Sequence, residues 1–348
     1  MVTMVAVAEE HGPGAKVRSA RDRIEARRET LRKLEIGGQL TSVTANLEAE
    51  WAAGLKPDRI RIRNGFSRLA TALAADYYSD RRVPKAALRP PATALHQPKG
   101  MALKLYLCGL FEAQCHARAD QRRINNRPLG FHPSVGKAAG TPWMSLLAVA
   151  ADHTPGKTSH VLVPDNRHRQ VRAALDLLER HRLVALPNKT VRGRKYENFR
   201  LLEESATDET EYTVPGDRDW VFTISSWLWR SGWLFALTDS ELALLLMLES
   251  YRESAVAWPE DGFLFVAGRP RVTEYCLGPD AYRSYRMLED VGLLEVQRDA
   301  RSREQQTVLD DSFATLDAHK FRLDEAGFER YPVPLLKQAL QDRLDWLP

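Results

Sequence analysis

The chain has 348 residues. This length exceeds what a single hydrophobic core usually supports, so we expect several domains. Its net charge of +4 is unevenly distributed, because residues 1–204 carry 35 Lys and Arg against 20 Asp and Glu, whereas residues 205–348 carry 15 against 26. This asymmetry favours nucleic-acid binding by the basic half, and the lack of any stretch of membrane-span length or secretory signal excludes membrane and secreted classes, so we expect a cytoplasmic protein.

Residues 1–94 are predicted to form a basic, largely helical N-terminal region whose first residues are disordered. The segment KVRSARDRIEARRETLRK at 16–33 holds eight basic residues against three acidic ones. RIRIRNGFSRL at 59–69 adds four arginines and no acidic residue. Such residues can neutralise DNA phosphates, although arginine-rich faces are often simply solvated.

Residues 95–204 are predicted to form the first of two similar units. A helix runs from Gly100 to about residue 118, and a second, WMSLLAVAAD, follows Thr141-Pro142. A third, at 166–181, has one apolar stripe and an outer face that carries arginines. The stripe consists of Val171, Ala174, Leu175 and Leu178, and the outward arginines are Arg169 and Arg172. A short strand at 183–186, the basic loop KTVRGRK at 189–195 and the tripeptide Phe199-Arg200-Leu201 complete the unit, while the Arg- and Asn-rich insertion at 119–140 has no assigned role.

An acidic linker at 205–219 is predicted to lead into a second unit at 220–330. Thr238 and Glu241 form a predicted capping box that opens the helix ELALLLMLESYRES. A strand at 262–266, a short helix at 271–276 and a helix with Pro279 in its first turn follow. The cluster of Trp220, Trp227, Trp229 and Trp233 ahead of the capping box is typical of a core.

The two units share an internal repeat. Leu288-Glu289, Leu293-Leu294 and Val296 repeat Leu178-Glu179, Leu183-Val184 and Leu186 at a constant offset of 110 residues, and Phe321-Arg322-Leu323 repeats Phe199-Arg200-Leu201 after the loop. This order of helix, strand, basic loop and strand resembles the second half of winged helix-turn-helix DNA-binding proteins. The resemblance implies a mainly α protein with small β wings, an α+β fold of two tandem winged-helix domains.

The resemblance also implies which residues contact double-stranded DNA. In the first unit they are Arg167, His168, Arg169 and Arg172 on the helix, and Lys189, Arg192, Arg194 and Lys195 on the loop, with Gly193 at its tip. In the second unit they are Arg283 and Arg286 on the helix, and Arg298, Arg301 and Arg303 on the loop. The acidic surroundings make the second unit the weaker DNA binder, and a role in dimerisation or partner binding stays open.

The C-terminal helix predicted within 331–348 has Leu336, Leu340, Leu344 and Leu347 along one side. Such a helix either docks on its own domain or pairs with a second copy. We therefore expect a homodimer, formed through residues 220–348.

Enzyme and metal motifs are weak in this sequence. Ala151 and Gly156-Lys157-Thr158 match a relaxed phosphate-loop motif. That motif should follow a buried strand and open a helix. Here the preceding segment is predicted to be helical and the following SHVLVP is predicted to be a strand, so the context does not fit. Cys108, Cys115, His116 and His153 lack paired ligand spacing, and the three cysteines are expected to be reduced thiols. We expect no enzymatic activity, no cofactor and no metal.

Three functions remain at this stage. The first is a sequence-specific transcriptional regulator that reads the major groove with helix 166–181 and contacts phosphates with loop 189–195. The second is a plasmid-type replication initiator, since one family of initiators also has two tandem winged-helix domains, a likeness that covers residues 95–330 at the level of architecture. The third is a protein-interaction module built on the same fold.

Overall fold

The computed structural model of the chain describes residues 19–74, 84–96, 100–130, 141–150, 162–254, 261–298 and 319–347, without the side chains of 162–165. Three predictions lie outside the described residues: disorder at the N-terminus, the phosphate-loop match at 151–158, and the loop arginines Arg301 and Arg303. Within the described residues, helices alternate with three small sheets, so the expected α+β class is confirmed. None of the helices described there is both long and apolar enough to cross a membrane.

The N-terminal region begins with a helical hairpin. Helices α1 (Ala20–Glu35) and α2 (Gln39–Ala53) are joined by a 3-10 turn at Ile36–Gly38. Ser19 and Asp22 form a capping box on α1, with both N–O distances 3.1 Å. Gly38 lies at φ 67°, a conformation that costs glycine no steric strain, and this lets α2 fold back on α1.

A two-stranded sheet joins this region to the second half of the chain. Strand β1 (Arg59–Arg63) pairs antiparallel with β4 (Val221–Ser225), with Arg61 opposite Thr223. Ile60 and Ile62 point into the core, and alternation places the arginines on the opposite face. The basic run at 59–63 is therefore a strand within the fold.

The first unit consists of α3 (Pro91–Ala94), α4 (Ala102–His116), α5 (Leu162–Arg180) and the hairpin of β2 (Val184–Ala185) with β3 (Arg200–Leu201). Helix α5 packs on α4. The predicted apolar stripe is confirmed, because Val171, Ala174, Leu175 and Leu178 are buried while Arg169 and Arg172 are exposed. Val184 pairs with Leu201, as the predicted order of strand, loop and strand requires.

Two predictions for the segment before α5 are wrong. The helix expected over WMSLLAVAAD is only a 3-10 turn at Trp143–Ser145, and Leu147, Ala148 and Val149 are buried without helical structure. A continuous apolar run does not distinguish a buried helix from buried extended chain. The strand expected at SHVLVP is also wrong over residues 162–164, which begin α5. Pro164 falls in the first helical turn, where its missing N–H has no intrahelical role.

The second unit contains α6 (Trp227–Arg230), α7 (Trp233–Ala236), α8 (Asp239–Ser254), β5 (Leu264–Phe265), α9 (Gly268–Thr273), α10 (Pro279–Tyr282), α11 (Tyr285–Asp290), β6 (Leu294–Arg298) and β7 (His319–Leu323). The three strands form an antiparallel sheet with β7 between β5 and β6. Val296 pairs with Phe321, so the strand with the repeated tripeptide is the central one.

Two helix starts predicted in the second unit are confirmed, and one short helix is displaced. The amide of Glu241 donates to Thr238 Oγ1 at 3.3 Å and the amide of Thr238 donates to Glu241 Oε2 at 2.8 Å, which confirms the capping box. Pro279 is in the first turn of α10 as predicted. The helix expected at 271–276 lies at 268–273 instead, because residues 274–278 turn towards α10. Trp229 and Trp233 are fully buried, whereas Trp220 remains 54% exposed.

The segments before and after the second unit are also packed. Tyr212 and Val214, within the predicted linker, are buried, and the linker's Glu211 forms a β-bridge with Leu202. Helix α12 (Pro332–Asp345) buries Leu336 and Leu340 and packs on α1 and α11 of its own chain. Buried side chains from all these parts form one contiguous apolar cluster.

Candidate nucleic-acid interface

The outer face of α5 is an exposed basic surface on a firmly packed helix. Its apolar stripe is held by the core, so the opposite side faces solvent. Arg169, Arg172 and Arg180 are exposed there, and Asp176 lies among them at helical spacing from Arg172 and Arg180. Arg169 makes no hydrogen bond or ion pair with another residue of the described part of the chain.

The loop between β2 and β3 is tied to the same face of α5. Lys195 Nζ lies 2.8 Å from Asp176 Oδ1, and the Tyr196 hydroxyl donates to Asp176 Oδ2 at 3.0 Å. Lys189 Nζ lies 2.7 Å from Glu179 Oε1, one helical turn further along. Gly193 lies at φ 79° at the tip of the loop. The helix and the loop therefore present their cations as one unit.

The cations of the loop differ in how far they are neutralised. Lys189 and Lys195 each have a carboxylate of α5 as a close partner. Arg194 is 71% exposed and lies 3.8 Å from Glu197. Arg192 is exposed and makes no hydrogen bond or ion pair within the described residues. The tip of the loop is thus its most available source of positive charge.

Arg167 and His168 occupy different positions from Arg169. The Arg167 guanidinium turns towards α2, where its Nη2 donates to Gln39 Oε1 at 2.6 Å. Burial lowers the pKa of Arg167. His168 is half-buried. Of the four helix residues predicted to contact DNA, the structure therefore brings only Arg169 and Arg172 onto the exposed face.

In the second unit the corresponding arginines lie beside acidic or aromatic partners. Arg283 Nη1 lies 3.2 Å from Asp280 Oδ1, and Arg298 forms an ion pair with Glu289. Arg286 Nε lies 3.4 Å from the Tyr285 hydroxyl oxygen. Asp280 and Glu289 therefore offset the positive charge of Arg283 and Arg298.

The arginines of 59–69 have a structural role that the sequence did not show. Arg61 pairs with Asp217 at 2.9 Å, and Arg68 pairs with Glu274 at 2.7 Å. Arg63 Nη1 lies 2.7 Å from Glu204 Oε2, a carboxylate with no exposed surface. Each partner lies well over one hundred residues away in the chain, so no local pattern indicates it. These ion pairs match the charges of Arg61, Arg63 and Arg68 within the chain, and so leave less positive charge for DNA phosphates than the sequence alone indicates.

The insertion at 119–140 also supplies internal partners over its described part. Arg127 Nη2 lies 2.7 Å from Glu50 Oε2 and 3.2 Å from Glu112 Oε1, while His116 Nε2 lies 2.9 Å from Glu50 Oε2. The hydrogen bonds from His116 and then Arg127 lower the pKa of Glu50 to about 2. Glu50, Glu112 and His116 have ligand atoms within 4.8 Å of one another, as a metal site would require. Because the Arg127 guanidinium already bridges both carboxylates, we interpret the cluster as a structural ion-pair network.

Comparison with known proteins gives no relative, since no protein-family model, no curated protein and no solved structure matches the chain. The function has to be argued from the geometry of the basic surface.

Proposed function

We propose that the protein is a sequence-specific double-stranded DNA-binding protein, most simply a transcriptional regulator, that places α5 in the major groove and the 188–198 loop along the phosphates. The observation that carries this proposal is the attachment of the loop to α5 through Asp176, with Arg169 on the helix and Arg192 on the loop exposed and unmatched within the described residues. A helix in the groove and cations on the backbone are the two components of duplex recognition.

The order of elements supports a winged-helix interpretation of both units. From α8 onwards, the second unit runs helix, strand, three helical segments and two strands, with the last strand central in the sheet. The first unit has α4, a 3-10 turn, α5 and a hairpin, a similar order in which the described residues include no strand after the first helix. In this architecture the helix before the hairpin reads the groove and the hairpin loop is the wing.

The first unit is the primary DNA-binding unit in this proposal. Its Arg169 has no hydrogen-bond or ion-pair partner within the described residues, whereas Arg283 and Arg298 of the second unit lie beside Asp280 and Glu289. Phosphate attraction depends on net local charge, so neighbouring carboxylates weaken it. The second unit then supports the first through the shared core. On α12, Leu336 and Leu340 are buried where the helix packs on α1, and the proposal therefore assigns no second copy to this part of the helix.

Selection of bound fragments from the source genome, followed by footprinting, tests this function. We expect binding that falls steeply with salt, and a footprint that requires Arg169. Arg298→Ala is the matched control, since Arg298 occupies the second unit and is paired with Glu289. An inverted repeat upstream of the protein's own gene would identify a regulator, while an array of short direct repeats would identify a replication initiator. A complete lack of salt-sensitive duplex binding would refute both and leave a protein-interaction module.

A further inference from the structure

A polar cavity lies between α1, α2 and the N-terminal part of α5, away from the exposed face that carries Arg169. Its volume is about 500 Å³, which falls in the range of pockets that hold small molecules. It is lined by Lys33, Ile36, Gly37, Gln39, Ser42, Val43, Asn46, Met144, Ser145 and Arg167. Among these described lining residues, two are cationic, four have neutral polar side chains and none is acidic.

The two cations come from different helices, and Arg167 has no carboxylate partner among the described residues. Lys33 lies 3.8 Å from Glu29, whose carboxylate also holds Arg32 at 2.7 Å. Arg167 donates to the neutral Gln39 amide, and its buried Nε has no hydrogen-bond partner among the described residues. Burial lowers the pKa of Arg167, in contrast to Arg127, whose carboxylate partners raise its pKa.

Hydrogen bonds to the backbone hold the side-chain amides of Gln39 and Asn46 at the cavity. Gln39 Nε2 donates to the Leu147 carbonyl at 3.4 Å, and Asn46 Nδ2 donates to the Ser145 carbonyl at 2.9 Å. These bonds orient both amides before any ligand arrives. The cavity also adjoins the start of α2, whose N-cap Gly38 offers no side-chain acceptor, and the positive end of a helix dipole adds to the attraction for an anion.

We propose that this cavity binds the phosphate group of a small phosphorylated molecule, with Lys33 and Arg167 as its charged contacts. A phosphomonoester carries close to two negative charges at neutral pH, which matches the two cations. Arg167 supplies directional N–H donors and Lys33 a point charge, the two forms in which proteins hold phosphate. The site is distinct from the surface proposed to bind DNA, so phosphate affinity tests it independently of DNA binding.

Calorimetric titration with inorganic phosphate at low ionic strength tests the proposal. The wild-type chain should bind, and Arg167→Gln and Lys33→Gln should each weaken binding by about tenfold or more, because each removes a charge-assisted hydrogen bond. Arg28→Gln is the matched control, since it removes an exposed arginine from α1, the helix that carries Lys33, without belonging to either proposed site. Its phosphate affinity should be unchanged within about twofold.

Equal losses in Arg167→Gln and Arg28→Gln would mean that phosphate is held only by diffuse surface attraction, and would overturn the site. Absence of binding by the wild-type chain at millimolar phosphate would also overturn it. Lys33 is on α1, so its variant provides a second test if Arg167→Gln does not fold. Duplex DNA as a competitor distinguishes the two sources of phosphate. Simultaneous binding of phosphate and DNA supports a site for a small molecule, whereas displacement of phosphate by DNA would overturn that proposal in favour of the DNA backbone.

Discussion

Asp176 and Lys195 lie 2.8 Å apart and join the exposed side of α5 to the loop between β2 and β3. Both side chains are about 40% exposed, so the pair contributes little to the free energy of unfolding. Its effect is on position, because it holds the loop beside the helix whose arginines face solvent. The same contact neutralises Lys195, and the loop cations should therefore differ in their contributions to DNA binding.

Arg192→Ala should lower the salt dependence of duplex binding by about one phosphate equivalent and weaken binding to all sequences alike. Lys195→Ala should lower it by less, since the Lys195 charge is already offset by Asp176. Affinity measured over a series of salt concentrations gives both slopes. A larger slope change for Lys195→Ala than for Arg192→Ala would contradict the arrangement of the loop described above.

Leu178→Ala should reduce the free energy of unfolding by about 2 to 5 kcal/mol, because Leu178 is fully buried against the core. Arg169→Ala, on the opposite face of the same helix, should change it by no more than about half a kcal/mol. Denaturant unfolding of the two variants provides the comparison. Similar losses in both would mean that α5 is not oriented as the structure shows.

The predictions that the structure confirmed depend on neighbours in the sequence. The stripe of α5, the Thr238–Glu241 capping box and the Pro279 helix start each follow from residues within two turns of one another. The features that the sequence did not show depend on distant partners. The ion pairs of the β1 arginines join residues more than 140 positions apart in the chain. Residues 147–149 are predicted as helix because they are buried by distant elements and therefore show no hydrophobic periodicity.

The candidate site was predicted in part for the same reason. Helical spacing separated the inner and outer faces of α5, and so placed Arg169 and Arg172 correctly. It did not show that Arg167 contacts Gln39 of α2, since that contact spans 128 residues. The partners that offset Lys189 and Lys195 are on α5 itself, and their spacing alone does not show how the loop folds back.

Arg27→Ala should destabilise the fold by about 3 kcal/mol. Arg27 holds both carboxylate oxygens of Glu241, which is 2% exposed at the start of α8, and its removal leaves a buried charge without that partner. Glu241→Gln keeps the capping geometry without the charge, so the double variant Arg27→Ala with Glu241→Gln should recover most of the loss. Thermal or denaturant unfolding of the single and double variants forms the cycle. Additive losses would exclude a coupled pair.

Glu50 should make the free energy of unfolding depend on pH in the acidic range. Its pKa is lowered from 4.5 to about 2 by hydrogen bonds from His116 and Arg127, so its stabilising effect is complete above about pH 4.5 and disappears as the pH falls towards 2. Glu50→Gln should therefore cost on the order of 2 kcal/mol near neutral pH and progressively less in acid. Urea unfolding of both chains across this pH range measures the difference. A constant difference would contradict the assignment of the lowered pKa to Glu50.

Arg169 distinguishes groove reading from simple charge attraction. It is exposed on the rigid outer face of α5 and has no hydrogen-bond or ion-pair partner within the described residues, so it is available for a bidentate contact with a guanine edge. Arg169→Ala should then cost about 1 to 3 kcal/mol of binding free energy on the selected site and much less on random duplex. Arg298→Ala should leave both affinities nearly unchanged, because Glu289 already pairs with Arg298. Competition binding with the selected and a scrambled duplex measures the four values. An equal loss on both duplexes would assign Arg169 to phosphate contact, and an unchanged affinity for the selected site would remove α5 from the DNA-reading surface.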